Sequence, residues 1–310
     1  MILTVTLNTA LDLTYRVPSL RPHASHRVRE VIERPGGKGL NVARVLAALG
    51  HRVTVTGFTG GETGRAMRAG LVALDEGGLI TDALVPTAGA TRRTIAVVDA
   101  VTGDTTQLNE PGPLVSAAEW NALLDRYDAL VPGAAAVALC GSLPPGVPVG
   151  AYARLVRTAR SAGVPVLLDT SGEPLRRGVA ARPDLVKPNA EELAELTGSH
   201  DPEQAVREVR RRGARAVIAS LGPQGLLAVT PEGRWRAVPP GLVKGNPTGA
   251  GDSAVAGLLS ALVDGVPWPV RLTRAVALSA ATVRAPVAGE FDAAAYTAYL
   301  DRVRVSAEPV

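Results

Sequence analysis

From residue 36 onward, stretches of strand length alternate with stretches of helical spacing, and this rhythm narrows the folds open to the chain more than any other feature. Gly39–Leu49 spaces its apolar residues for a helix and is followed by a strand pattern at Arg52–Gly57 and a second helix at Glu62–Leu74. Further along come a strand at Ala136–Cys140, a helix at Val149–Ala162 and a strand at Val164–Asp169. A strand at Asp184–Lys187, a helix at Ala190–Thr197 and a strand at Ala214–Ser220 continue the pattern, and three helical segments occupy Gly249 to Val303. Strands that alternate with helices pair in parallel, because a parallel crossover needs a connection of helix length. The expected fold class is therefore α/β, a mostly parallel sheet flanked by helices on both faces.

Two segments break the rhythm. Thr14–Val17, Arg27–Val31 and Arg93–Val98 alternate without intervening helices. They predict a small β-sheet lid, formed by about 12–35 and 91–109, over the carboxyl ends of the parallel strands. No internal repeat or low-complexity linker interrupts the chain, so residues 1–310 read as one α/β domain carrying that lid. Hydrophobic residues make up 46% of the sequence but aromatics only 3%, which leaves Ala, Val and Leu to fill the core.

The charges argue against a nucleic-acid partner. Lys and Arg number 33 against 29 Asp and Glu, and the two signs are interspersed. The longest basic cluster, Arg210–Arg212, closes an amphipathic helix from Pro202, where cations suit the helix dipole. Cys140 is the single cysteine, so no internal disulfide or cysteine metal site is available, and its apolar context reads as a buried strand. No apolar run reaches membrane-spanning length, and the chain enters a strand pattern at Ile2–Leu7 without a basic leader. The expectation is a soluble cytoplasmic protein with no membrane partner.

The chemistry-bearing residues sit where strands end or helices begin. Gly245–Ser253 places the turn Gly249-Ala250-Gly251 before a long apolar helix, Ala254 to Val263, whose first amides would face an anion. Asp252 shares that turn, and an anion hole beside a carboxylate base is what phosphoryl transfer to a hydroxyl needs. Pro35–Ala43 puts Gly36, Gly37, Lys38 and Asn41 at a strand-to-helix junction, though a plain helix cap explains that turn equally well. It is not a Walker A loop, because Lys38 is followed by Gly39.

Asp12 closes Asn8-Thr9-Ala10-Leu11-Asp12 after the first strand, either to bind sugar hydroxyls or to bond its own turn. Arg92 and Arg93 open a lid strand, and Ser142 heads the turn Gly141–Gly146. Lys187-Pro188-Asn189 leads into Glu192, an Asn-x-x-Glu pattern that suits either a capping box or a magnesium–water network. Ser220, Gly222 and Gly225 bracket a strand end that suits a nucleotide or a simple hairpin.

In this order the residues resemble the PfkB (ribokinase-like) carbohydrate kinases, from Asn8 to beyond Ser253. Gly36–Ala43 is similar to that family's first signature and Asn246–Ser253 to its second. Four details resemble the 1-phosphofructokinase and tagatose-6-phosphate kinase branch: Asn8–Asp12, Gly141–Gly146, Leu185–Asn189, and Asn246 in place of the usual Asp. The resemblance implies a ribokinase-like fold and a kinase that uses ATP and Mg2+ on a small phosphosugar. It implies Asp252 as general base, with the amides of Gly249, Ala250 and Gly251 holding the transferred charge.

By the same resemblance, Asp12, Gly37, Lys38 and Asn41 match sugar-binding positions, and Arg92 with Ser142 matches contacts to the sugar's phosphate. Lys187, Asn189, Ser220, Gly222 and Gly225 match the ATP side, and Glu192 with Asn189 the water-linked magnesium. His26 and Thr94 stand where this branch often carries Asn, which bears on substrate identity.

The expected activity is phosphorylation of a ketohexose monophosphate, with fructose 1-phosphate favoured over tagatose 6-phosphate or fructose 6-phosphate. The alternatives are a kinase of an unphosphorylated sugar or nucleoside, or a non-catalytic sugar-phosphate sensor. A dinucleotide oxidoreductase would need a Gly-x-Gly-x-x-Gly after the first strand, which is absent. Exposed lid edges predict a homodimer that pairs two lids.

Overall fold

The computed structural model describes residues 1–308. The chain opens with β1 (Ile2–Thr6), β2 (Ala10–Val17) and β3 (Glu30–Gly36), then α1 (Lys38–Ala48), β4 (Val53–Thr59) and α2 (Gly61–Leu74). Four short strands follow: β5 (Ile80–Asp82), β6 (Val85–Pro86), β7 (Arg92–Asp99) and β8 (Thr105–Asn109). Next come α3 (Ala117–Leu130), β9 (Ala136–Cys140), α4 (Ala151–Ser161), β10 (Val166–Asp169) and α5 (Gly172–Ala180). They lead to β11 (Leu185–Val186), α6 (Ala190–Thr197), α7 (Pro202–Arg212) and β12 (Ala216–Ser220). A hairpin of β13 (Leu226–Thr230) and β14 (Gly233–Val238) precedes α8 (Ala250–Val263), α9 (Trp268–Thr282), α10 (Ala293–Leu300) and β15 (Arg304–Glu308).

The expected parallel sheet is present, in the order β15-β14-β13-β12-β11-β10-β9-β1-β4-β5, with β6 also paired to β4. Every pairing from β12 to β5 is parallel. Strand residues alternate between two cores because successive side chains leave opposite faces. In β9, Val137 and Leu139 join the core under α3 to α7, while Ala136, Ala138 and Cys140 join the one under α1, α8 and α9. Small residues set the second core's close spacing: a Cβ on Gly257 of α8 would lie 2.8 Å from the Ala275 Cα of α9.

Besides the short strands β5 and β6, three parts of the chain escape the sequence pattern. β13, β14 and β15 add an antiparallel edge that the alternation of strand and helix does not announce. The Ser220–Gly225 turn is thus a hairpin, with Ser220 paired opposite Leu226. α3 is also new, although its start was legible as the capping box of Ser116 and Glu119. α5 is the third.

A separate four-stranded sheet, β3-β2-β7-β8, contains the segments expected to stand apart. One expected strand is corrected. Arg27–Val31 is not a unit; β3 starts at Glu30 and runs to Gly36, because its antiparallel register with β2 extends from Arg16↔Glu30 to Ala10↔Gly36. No helix among the described residues is long and apolar enough to cross a membrane.

Candidate active site

β1 lies between β4 and β9, so the chain leaves it towards opposite ends of the sheet. Such a switch point opens a crevice at the strands' carboxyl ends. Asn8 follows β1, Ser142 follows β9, Asp169 ends β10 and Lys187 follows β11, which brings all four to that crevice. Tyr152 of α4 fixes the Ser142 turn from below, its hydroxyl 2.9 Å from the carbonyls of both Cys140 and Gly141.

Between this edge and the small sheet lies a cleft of about 840 Å³. Asp12, Gly37, Lys38, Asn41, Arg92 and Ser142 all line it, as does Thr94. Asp12, Arg34 and Thr94 occupy one cross-strand row of the small sheet. The Thr94 hydroxyl donates to Oδ1 of Asp12, and burial raises the Asp12 carboxyl above its usual range despite that bond. A Cβ on Gly36 would fall 2.0 Å from this carboxyl, so glycine there is what lets Asp12 seat. Arg92 donates from Nε to the Asn8 carbonyl at 3.3 Å and from Nη1 to that of Glu110 at 3.2 Å. Asn8 in turn donates to the Ser142 hydroxyl at 3.1 Å, joining the ends of β1 and β9. His26 lies apart from this wall, with Nε2 2.9 Å from the Arg21 carbonyl on the exposed loop before β3.

A second cleft, of about 450 Å³, is lined by Asn189, Ser220, Gly222, Gly225, Ala250 and Gly251 together with apolar residues such as Val243, Val276 and Val283. The N-terminus of α8 stands between the two clefts. Gly249 caps it in the left-handed conformation, φ 82°, and no side chain caps the helix. The Ala250 amide donates to the Pro247 carbonyl at 3.1 Å, whereas the Gly249 and Gly251 amides have no backbone partner among the described residues. Asn246 shapes the approach, its Oδ1 accepting from the Thr248 amide at 3.0 Å.

Five polar groups gather at this helix end. Asp252, 7% exposed, accepts a 2.9 Å hydrogen bond from Nδ2 of Asn41. Burial pushes its carboxyl up to about 6, with the nearby Lys38 ammonium pulling the other way. Lys38 Nζ lies 3.5 Å and Lys187 Nζ 3.6 Å from Oδ1 of Asp169, which raises the Lys38 ammonium well above its usual value. Lys187 is buried there and lines neither cleft; it sits where a Cβ on Gly251 would lie 3.5 Å from its Nζ. Asp169, 1% exposed, went unnoticed in the sequence, although a carboxylate ending a wholly apolar strand was a visible signal. Its Oδ2 is buried without a hydrogen bond.

Asn189 and Glu192 form the capping box of α6, with 2.8 Å bonds in both directions. Glu192 also lies near enough to raise the Lys38 ammonium. Among the described residues, no three His, Cys, Asp or Glu side chains form a metal cage.

The fold and site define an α/β phosphotransferase scaffold, two clefts meeting at a bare helix N-terminus beside a buried carboxylate. The model of the pfkB family carbohydrate kinases matches residues 3–293, and the chain belongs to that family. A 1-phosphofructokinase of Rhodobacter capsulatus is 40% identical over 271 residues, covering 86% of this chain and 84% of its own. Among solved structures, a possible 1-phosphofructokinase of Thermotoga maritima superposes with a TM-score of 0.91 at 28% identity over all of both chains. A ribokinase of Arabidopsis thaliana, solved with ribose and ATP, shares the fold at a TM-score of 0.73 and 20% identity, covering 96% of this chain and 98% of its own. The fold is thus ribokinase-like and the chain a carbohydrate kinase.

Proposed function

We propose that this kinase transfers the terminal phosphoryl group of ATP to a hydroxyl of a ketohexose monophosphate, with fructose 1-phosphate the favoured acceptor. The observation that carries the reading is the meeting of the two clefts at α8, where Asn41 presents the Asp252 carboxylate. The name of the Rhodobacter relative supports the choice of substrate.

Asp252 takes the proton of the attacking hydroxyl, a contribution on the order of 10²–10⁴-fold. A carboxyl poised at about 6 is ionised at neutral pH yet basic enough to hold that proton. The free Gly249 and Gly251 amides and the buried Lys187 ammonium supply fixed positive charge where the phosphoryl group passes. Asp12, Lys38 and Asn41 hold the sugar, with Gly37 allowing close approach. Arg92 and Ser142 hold its phosphate, and the small sheet excludes water as a competing acceptor.

The second cleft fits a nucleotide: its walls combine apolar side chains with the glycines Gly222 and Gly225 beside Ser220 and Asn189, and it opens onto the α8 amides. Bound ATP supplies the phosphoryl group there. Glu192 and Asn189 would hold magnesium through water, and the ion would offset charge on the phosphates; among the described residues no three His, Cys, Asp or Glu side chains form a cage of their own. We also propose a homodimer through the small sheets, whose edge strands β3 and β8 expose Val31 (51%) and Leu108 (57%).

A coupled assay over ketohexose phosphates and their unphosphorylated sugars tests the substrate. Arg92→Ala should raise KM for fructose 1-phosphate at least tenfold, as loss of a charge-assisted phosphate contact requires. An unchanged KM would remove the phosphosugar reading, and sugar-phosphate binding without ADP formation would favour a sensor.

A further inference from the structure

We propose that Glu290 is a positioning residue, tying the small sheet to the reacting end of the cleft by joining two arginines from different parts of the fold. Its Oε1 accepts from Arg44 Nη2 at 2.9 Å and lies 3.7 Å from Arg34 Nε. Arg44 belongs to α1, one turn beyond Asn41, and its side chain is 5% exposed. Arg34 belongs to β3, on the cleft-facing row with Asp12. Its Nε is buried without a hydrogen bond, and among the described residues Glu290 is its one acidic partner.

Three consecutive residues carry the connection inward. Ala288 accepts from Arg44 Nη1 at 3.1 Å and packs so closely on Gly249 that a Cβ there would lie 2.8 Å from its methyl. Gly289 passes so near the α1 groups that a Cβ would come within 2.7 Å of Arg44 Nη1 and 3.0 Å of Asn41 Oδ1. Glu290 then reaches the small sheet. The segment 288–290 therefore touches the cap of the anion-facing helix, the amide that orients Asp252, and β3. Without the Glu290 carboxylate, two guanidiniums of like charge, one of them buried, keep only the weaker counter-charge of Asp12. The attraction that holds β3 to α1 is lost.

The inference rests on Asp252 as base and on the small sheet as the cleft's outer wall. The test uses the full chain with Glu290→Gln, Arg34→Met, the double variant and Glu290→Asp. Glu290→Gln and Arg34→Met should each lower kcat on the order of tenfold, through displacement of the reacting groups, while KM for the phosphosugar changes less. The double variant should lose no more than Glu290→Gln alone, since Arg34→Met removes an interaction that Glu290→Gln has already removed. Glu290→Asp should recover part of kcat. Amide exchange at residues 30–36 should quicken in Glu290→Gln while that of β1 and β9 stays unchanged.

Multiplicative losses in the double variant, loss confined to KM, or unchanged exchange at 30–36 would each overturn the proposal. Should Glu290→Gln not fold, Arg34→Met carries the same three readouts from a partly exposed position. Asp252→Asn, run alongside, separates the two readings: if it turns over normally the base assignment fails, while the exchange measurement still decides whether Glu290 holds β3.

Discussion

Asn41 donates a 2.9 Å hydrogen bond to the Asp252 carboxylate across 211 positions of the chain, joining the starts of α1 and α8. It is the point at which the two glycine-rich turns of the sequence become one site. The bond also constrains what the carboxylate can do, since one oxygen is held by the amide and the other is left to meet a substrate proton.

Asp252→Asn should lower turnover on the order of 10²–10⁴-fold yet stabilise the protein. Holding this carboxyl at about 6 instead of 3.8 costs the folded state on the order of 2–3 kcal/mol at neutral pH. The amide removes that cost, so Tm should rise by a few degrees at pH 7 and the gain should vanish near pH 4. A lower Tm in the variant at pH 7 would contradict this account of the site.

Activity should fall on the acid side with an apparent pKa near 6 in kcat/KM, which reports the free enzyme, because only the ionised Asp252 accepts a proton. The sign for stability is opposite. The folded carboxyl binds its proton more tightly than the unfolded one, so its cost is absent at low pH and grows as pH rises through the window from 3.8 to about 6. Lys38→Met removes a charge that pulls the value down, so the acid limb should move to higher pH. A limb that stayed in place would mean that another group controls it.

Asp169→Asn should act in the reverse sense to Asp252→Asn, although both carboxylates are buried in one site. Asp169 serves two lysines, and Lys187 is buried almost completely beside it. Losing the partner of a buried charge costs about 3–5 kcal/mol, with the lower end expected because Lys38 is partly solvated. Thermal or denaturant unfolding measures this, and Tm should fall.

Gly249→Ala should damage both stability and rate. The position has φ 82° and a Cβ there would meet the Ala288 methyl at 2.8 Å. Overpacking alone costs roughly 1–3 kcal/mol, and a shift of the α8 cap near 1 Å would lower kcat on the order of 100-fold. Near-normal kcat in a folded variant would show that the helix cap does not position the transferred group.

Much of the small sheet and the antiparallel edge lay beyond the reach of local pattern. β3 mixes charged with apolar residues and ends in Pro-Gly, so only its pairing with β2 sets its limits at Glu30 and Gly36, and Arg27–Val31 is misplaced for that reason. β15 adds to the main sheet from the far end of the chain, and nothing in Arg304–Glu308 alone specifies a partner. Most of the cleft residues were legible because they close a strand or open a helix, although Asp12 sits inside β2 and Arg92 opens β7. Asp169 also closes a strand, but without a glycine-rich turn nearby it resembled any strand end.

The sequence by itself determined the alternation that makes a parallel sheet, the two glycine-rich turns, and the set of polar residues placed at element ends. Those are consequences of spacing and backbone freedom, which neighbours along the chain dictate. Only the tertiary structure decided which charges pair, that Lys187 turns inward to Asp169, that Ala250 spends its amide on Pro247, and that Glu290 joins Arg34 to Arg44. These depend on distances between elements far apart in sequence, and burial at those meeting points sets how strongly each charge is felt.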